Sequence, residues 1–215
     1  MKKRMWIAAL LAVMLCVMAG CGGNQVALES VDVEMKQESH IVKGVDIELV
    51  YPVVSSTEEA GDLIDTLNGQ FAENAAAFQQ MVEEQYAAAA QPDDLFEYQA
   101  NVMYNQNGML SVVEGLRCGD AYQQHAATYS LTDGHKMTLG ELMDMKEKTA
   151  EETVIKQFGG IIQSYPDAFN ADAADYVSEH IDEVQFYRYS EGLAVFFPVG
   201  TIAPEDMGVQ EMVMQ

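Results

Sequence analysis

The sequence predicts an α+β domain in which an antiparallel β-sheet of two meanders is packed by one long helix and two or three shorter ones. Three observations carry this. Between Phe96 and Leu131 apolar and polar residues alternate, and the runs break at Asn107-Gly108 and Gly119-Asp120, dipeptides that suit tight hairpins. Between Ala60 and Tyr86 apolar residues recur at steps of three and four, the period of a helix with one buried face. From Val184 onward, short β-branched and aromatic runs return, separated by turn residues. Strand runs joined by hairpins and separated by helices indicate an α+β arrangement.

In chain order, residues 1–20 form an address rather than a folded element. Lys2, Lys3 and Arg4 precede the apolar run Met5 to Met18, and Ala19-Gly20-Cys21 offers small residues before a cysteine. The pattern is similar to the lipobox of bacterial lipoproteins, with Met18 where that motif usually has leucine. It implies cleavage before Cys21, lipidation of Cys21 with acyl chains such as palmitate, and anchoring on the outer, extracytoplasmic face of the cell membrane. An uncleaved anchor would need about 20 apolar residues, more than this run supplies. Residues 21–40 then read as a lipidated N-terminus and tether, and residues 41–215 as a single domain.

The domain is expected to open with one strand from Ile41 to Tyr51, closed by Pro52. Ser56-x-x-Glu59 reads as a capping box for the long helix, whose buried face is Ala60, Leu63, Ile64, Leu67, Phe71, Ala75, Phe78, Val82 and Tyr86. Strands are expected over Phe96 to Asn105, Met109 to Cys118 and Tyr122 to Leu131. Thr138 reads as an N-cap, Thr149-x-x-Glu152 as a second capping box, and Asn170 as the cap of a helix from Ala171 to Ile181. The last meander runs Val184 to Tyr189, then Leu193 to Phe197, a run too short and too β-branched for a helix and therefore a strand buried on both faces. Its third strand follows Gly208, with Val209, Glu211 and Val213 set against Gln210, Met212 and Met214.

Composition bounds the partners. Removing residues 1–20 removes three of the 11 basic residues and none of the 34 acidic ones, taking the formal charge from −23 to −26. Such a surface repels nucleic acid and anionic lipid and accelerates encounter with cationic proteins. Cys16 lies in the leader and Cys21 is the lipid site, so Cys118 has no disulfide partner and reads as a small buried hydrophobe. His40, His125, His135 and His180 are too widely spaced for a local metal clip. Nucleophile elbows, Ser-x-x-Lys and phosphate-binding glycine loops are missing from the sequence. No cofactor, metal or enzymatic activity is therefore expected. The leader carries Trp6, so saccharide stacking in the domain would fall to tyrosines such as Tyr86, Tyr98, Tyr104, Tyr122, Tyr129, Tyr187 and Tyr189.

Several runs carry a family resemblance. Ile47-Glu48-Leu49-Val50-Tyr51-Pro52, the helix with Ile64 and Asn68, Ser111-Val112, Gly119-Asp120-Ala121-Tyr122, Ser130 to Met143, and Gly192 to Gly208 with its Ile202-Ala203-Pro204 together resemble the extracytoplasmic module of RsiV-type lysozyme-sensing anti-sigma factors and of some peptidoglycan deacetylases. Asp120 and Tyr122 depart from that module's Gly-Gly-Ala-His turn. The resemblance implies a binding or sensing module whose candidate partner is a cationic protein, lysozyme, with peptidoglycan association as the alternative. Only Met1 to Arg4 precede the apolar run, so no sigma-factor-holding segment is expected, and no deacetylase metal motif appears. The residues picked out for ligand contact are Asp120, Tyr122, Ile202, Pro204, Glu205 and Asp206.

Overall fold

Residues 27–57, 60–91 and 94–214 are described by a computed structural model. The expected lipid site, Cys21, and the leader lie outside them. Among the described residues, eight strands form two sheets. The larger holds β1 (Asp32–Val42), β2 (Val45–Ser55), β3 (Phe96–Gln106), β4 (Met109–Cys118) and β5 (Ala121–Ser130), side by side in that order. The smaller is the meander β6 (Gln185–Tyr189), β7 (Gly192–Phe196) and β8 (Glu211–Met214). The long helix α1 (Gly61–Met81) ends in a π turn at Val82–Tyr86, and α2 (Leu139–Leu142), α3 (Glu147–Ser164) and α4 (Ala173–Glu179) lie between the sheets in sequence.

The α+β class and both meanders hold, but the large sheet is mixed: β2 and β3 pair in parallel from Ile47 to Val50. The reason is the connection. A strand that leaves through a long helix returns to its neighbour in the same direction, whereas a two-residue hairpin reverses it. The single opening strand is corrected to a hairpin, because Lys43 and Gly44 both take positive φ, 52° and 84°, and fold β1 back onto β2. Pro52 does not end β2. It is buried opposite Met35 at a position whose main-chain nitrogen points away from β1, and the parallel pairing stops at Val50, so no ladder bond from that nitrogen is needed.

The tether expected over 21–40 is also corrected over residues 27–40, while 21–26 lie outside the described residues. Residues 32–40 are strand, and Leu28 and Val31 ahead of them are 2% and 6% exposed in the main core. Leu28 N–H donates to the Leu131 carbonyl at 3.0 Å, and the Asn105 side chain bonds both the N–H and C=O of Val31 at 3.0 and 2.7 Å. Asn68 does the same for Val54, at 2.7 and 2.9 Å, which explains an asparagine on the sheet-facing side of α1.

Four layers result. Leu67, Phe71, Ala75 and Phe78 of α1 pack on Ile47, Leu49, Tyr98, Leu110 and Val112 of the large sheet. The opposite face of that sheet, through Val113 and Ala126, meets Tyr187, Ala194 and Phe196 of the small sheet. Leu193, Val195, Met212 and Met214 on the small sheet's other face pack against Val154 and Phe158 of α3 and Val177 of α4. β7 is thus buried on both faces, as its unbroken apolar run requires.

Capping divides. Thr138 accepts from Glu141 N–H, and the Glu141 carboxylate accepts from Thr138 N–H at 2.7 Å, a full capping box on α2. Of the two boxes expected elsewhere, Ser56-x-x-Glu59 includes Glu59, which lies outside the described residues, and α1 itself starts at Gly61 after Ala60 with no side-chain cap. The other is corrected. Thr149 sits inside α3, which follows Lys146. Asn170 does not cap α4: its amide donates to the Thr201 carbonyl at 3.0 Å, holding the loop after β7.

Candidate functional site

The strands of the small sheet run four or five residues against ten or eleven for β3, β4 and β5, so it covers only part of the face it packs on. Beside it lies an open cleft of about 600 Å³, floored by Asn101, Val102 and Met103 of β3, Val113 and Gly115 of β4, and Tyr122 and Gln124 of β5. Tyr187, Val209 and Glu211 form its wall. The pairing of β3 with β4 shifts between Val102 and Tyr104, a bulge that leaves Met103 unpaired and 40% exposed.

Gly115 shapes the floor. A Cβ there would stand 2.9 Å from the Tyr122 hydroxyl, so the missing side chain lets the Tyr122 ring lie across β4. Tyr122 remains 38% exposed, its hydroxyl donates to Gln124 Oε1 at 3.4 Å, and the Arg117 guanidinium sits 6.0 Å from its ring centroid. Arg117 Nε in turn pairs with Glu97 at 3.1 Å. On the wall, burial, reinforced by a hydrogen bond to the Glu211 carboxylate, pushes the Tyr187 hydroxyl up from its ordinary range. The cleft therefore offers a ring face, two side-chain amides and a carboxylate, groups that bind by stacking and hydrogen bonding.

Of the six residues singled out from sequence, only Tyr122 lines this cleft. Asp120 is exposed in the turn between β4 and β5. Ile202 is 2% exposed and belongs to the core between the small sheet and α3, so it builds the loop rather than presenting a surface. Pro204, Glu205 and Asp206 are exposed at the short 3₁₀ turn Glu205–Met207. Sequence reasoning missed Asn101, Met103, Gly115, Gln124 and Glu211. The alternation of β3 and β5 puts Asn101 with Met103, and Tyr122 with Gln124, on shared faces, but nothing local says that the covering sheet stops short.

A second polar constellation lies on the α1 face. Glu114 is 6% exposed and accepts hydrogen bonds from the Tyr98 hydroxyl at 2.6 Å and from Asn74 of α1 at 2.8 Å. His125 stands directly opposite on β5, where burial lowers its pKa despite the attraction of Glu114. Lys136, bridged to Tyr129 along the backbone, keeps exposed surface, yet packing around its ammonium also lowers its pKa. The Asn74–Glu114 bond ties α1 to the sheet. The remaining histidines pair with carboxylates: His40 with Glu38, His135 with Asp133 and Glu141, His180 with Glu183. Cys118 is a free, buried thiol, its pKa pushed up by burial to about 12. Among the described residues no group of three or more His, Cys, Asp or Glu side chains is placed to hold a metal ion, and no helix is long and apolar enough to cross a membrane.

Comparison with known proteins places this architecture among solved folds. A structure of a DUF3298 family member from Bacteroides fragilis aligns with a TM-score of 0.58 over 88% of this chain and 91% of its own, at 13% identity. The chain shares that fold. A DUF3298 family protein from Pseudomonas aeruginosa aligns at 14% identity over 85% of this chain and 89% of its own, with a TM-score of 0.49. No family model matches the sequence, and no curated protein does.

Proposed function

We infer that this protein is a lipid-anchored, extracytoplasmic binding module without catalysis of its own, and that its ligand is a cationic protein such as lysozyme. The observation that supports it best is the half-covered face of the large sheet: an open cleft with an exposed tyrosine and a carboxylate, on a chain of formal charge −23. Long-range attraction brings a basic partner to the surface, and ring, amide and carboxylate contacts in the cleft hold it. The lipobox-like Met18 to Cys21 supplies the anchor on the outer face of the membrane, and the resemblance to the RsiV-type module supplies lysozyme as the partner to try first.

Titration of the full chain in detergent micelles against lysozyme, at low and at physiological salt, tests this through both binding and muramidase activity. Saturable binding that persists at physiological salt, with muramidase activity reduced, is the expected result. Binding absent at both salts, or present only at low salt, would reduce the acidity to a matter of solubility. A second reading, a peptidoglycan-associated accessory protein, draws on the amides of Asn101 and Gln124 beside the Tyr122 ring, a combination suited to sugars. Retention on purified cell wall in high salt would favour it.

A further inference from the structure

We propose that the outer edge of β5 between Ala121 and His125 docks an extended, basic peptide segment as an added sixth strand of the large sheet; this rests on the reading of the protein as a binder of cationic partners. In an antiparallel ladder, residues of alternate pairs exchange main-chain bonds, and those between them turn N–H and C=O away from the partner strand. On β5, Ala126 N–H donates to Gln185 Oε1 at 3.2 Å, the Thr128 carbonyl accepts from Met137 N–H at 2.8 Å, and Ser130 N–H donates to the His135 carbonyl at 2.9 Å. All three contacts come from the side away from β4. The register continues unshifted through Gly115↔Gln124 and Arg117↔Tyr122, so Gln124 and Tyr122 also face outward. Among the described residues no main-chain bond outside the ladder reaches either of them. The C-terminal half of this edge is covered and the N-terminal half is open.

Two further observations name the occupant. Tyr122 and Gln124 also line the cleft, so an added strand would run its alternate side chains along that opening, main-chain bonds holding it and the cleft choosing among side chains. The surroundings are mainly acidic: Asp120 is exposed at the turn, the Asp94 carboxylate lies 3.3 Å from where a Cβ on Gly119 would sit, and Glu211 stands in the cleft, while of the nearby cations Arg117 is paired with Glu97 and Lys136, at the His125 end, is attracted to Glu114. The opposite edge of the sheet, β1, carries Asp32, Glu34, Lys36 and Glu38, the charged side chains that guard an edge against pairing. Residues 121–124 of β5 carry none.

The test titrates the full chain in detergent micelles with a labelled decapeptide of alternating lysine and threonine, and with its glutamate–threonine counterpart, at physiological salt. The lysine peptide is expected to bind saturably, the glutamate peptide not, and hydrogen exchange at the Tyr122 and Gln124 amides to slow on binding. Gln124→Pro removes an outward N–H while sparing the ladder to β4, and weakens the lysine peptide by roughly tenfold or more; Gln124→Ala, which keeps that N–H and loses only the cleft amide, weakens it clearly less than Gln124→Pro does. Unchanged exchange at those two amides in the peptide-bound wild type overturns the proposal whether or not the variants fold, and so does equal binding of the two peptides. Lysozyme added to the same proteins separates the two readings. Equal lysozyme binding by wild type and Gln124→Pro overturns the docking edge and leaves the cationic-protein reading standing; no binding of lysozyme or lysine peptide by wild type overturns both.

Discussion

Single side chains close the main-chain accounts at the places where ladders stop. Asn68 and Asn105 each present an amide to both the N–H and the C=O of one residue, Val54 and Val31, and stand in for a missing strand. Both pairs are part-buried, where a main-chain group left without a partner costs about 1–3 kcal/mol. Asn68→Ala is therefore expected to destabilise the fold by roughly that amount, with Asn68→Asp intermediate because the carboxylate still accepts from Val54 N–H but donates nothing back. Chemical denaturation measures it; an alanine variant as stable as wild type would mean that water satisfies Val54 instead. Asn68 was legible as a polar residue on an otherwise apolar helix face. That it serves Val54 was not, because its partner is fixed by how α1 lies on β2.

At the scale of elements, the connection from β5 to α2 holds a small electrostatic device. His135 Nδ1 lies 2.6 Å from Asp133 and its Nε2 lies 3.1 Å from Glu141, the residue that completes the α2 capping box. Burial by itself would lower the His135 pKa, but the two carboxylates outweigh it and raise it. Asp133 is lowered by its bonds to His135 against the opposing effect of burial, and Glu141 is lowered first by the Thr138 N–H. The raised histidine contributes stability that is fully present below its unfolded pKa of about 6.5 and is lost as pH rises through the folded value. The lowered carboxylates contribute above about pH 4 and lose it as pH falls through their folded values. The linkage thus helps most between about pH 4.5 and 6.5. All three side chains are 39–45% exposed, so the gain stays below about 1 kcal/mol. Thermal midpoints of wild type and His135→Ala across pH 3 to 8 should differ most in that window and converge at both ends. A difference independent of pH would show that packing, not charge, is lost.

For the whole molecule, the N-terminal segment closes the fold. Leu28 is 2% exposed and its N–H reaches Leu131, while the Glu29 carbonyl accepts from Gly108 N–H at 3.1 Å, so residues ahead of β1 fasten the ends of β3, β4 and β5. Leu28→Ala should cost about 2–5 kcal/mol, the range for emptying a buried leucine site, and calorimetry of the full chain would show it. No change on substitution is the result a solvated tether would give. The low apolar density of residues 22–40 hid this, because an edge strand buries little of its own surface, and β1 places a charged residue at every second position from Asp32 to Glu38. What the sequence by itself determined is what neighbours in the chain decide: the alternation and Asn-Gly turn of the β3–β4 hairpin, the apolar stripe of α1, the α2 cap, and the burial of β7 on both faces. Only the tertiary structure decided the parallel pairing of β2 with β3, the docking of the small sheet off-centre, and hence the cleft and the open half of β5. These depend on which distant surfaces exclude water from one another, a free energy shared by residues far apart in sequence that leaves no local period to read.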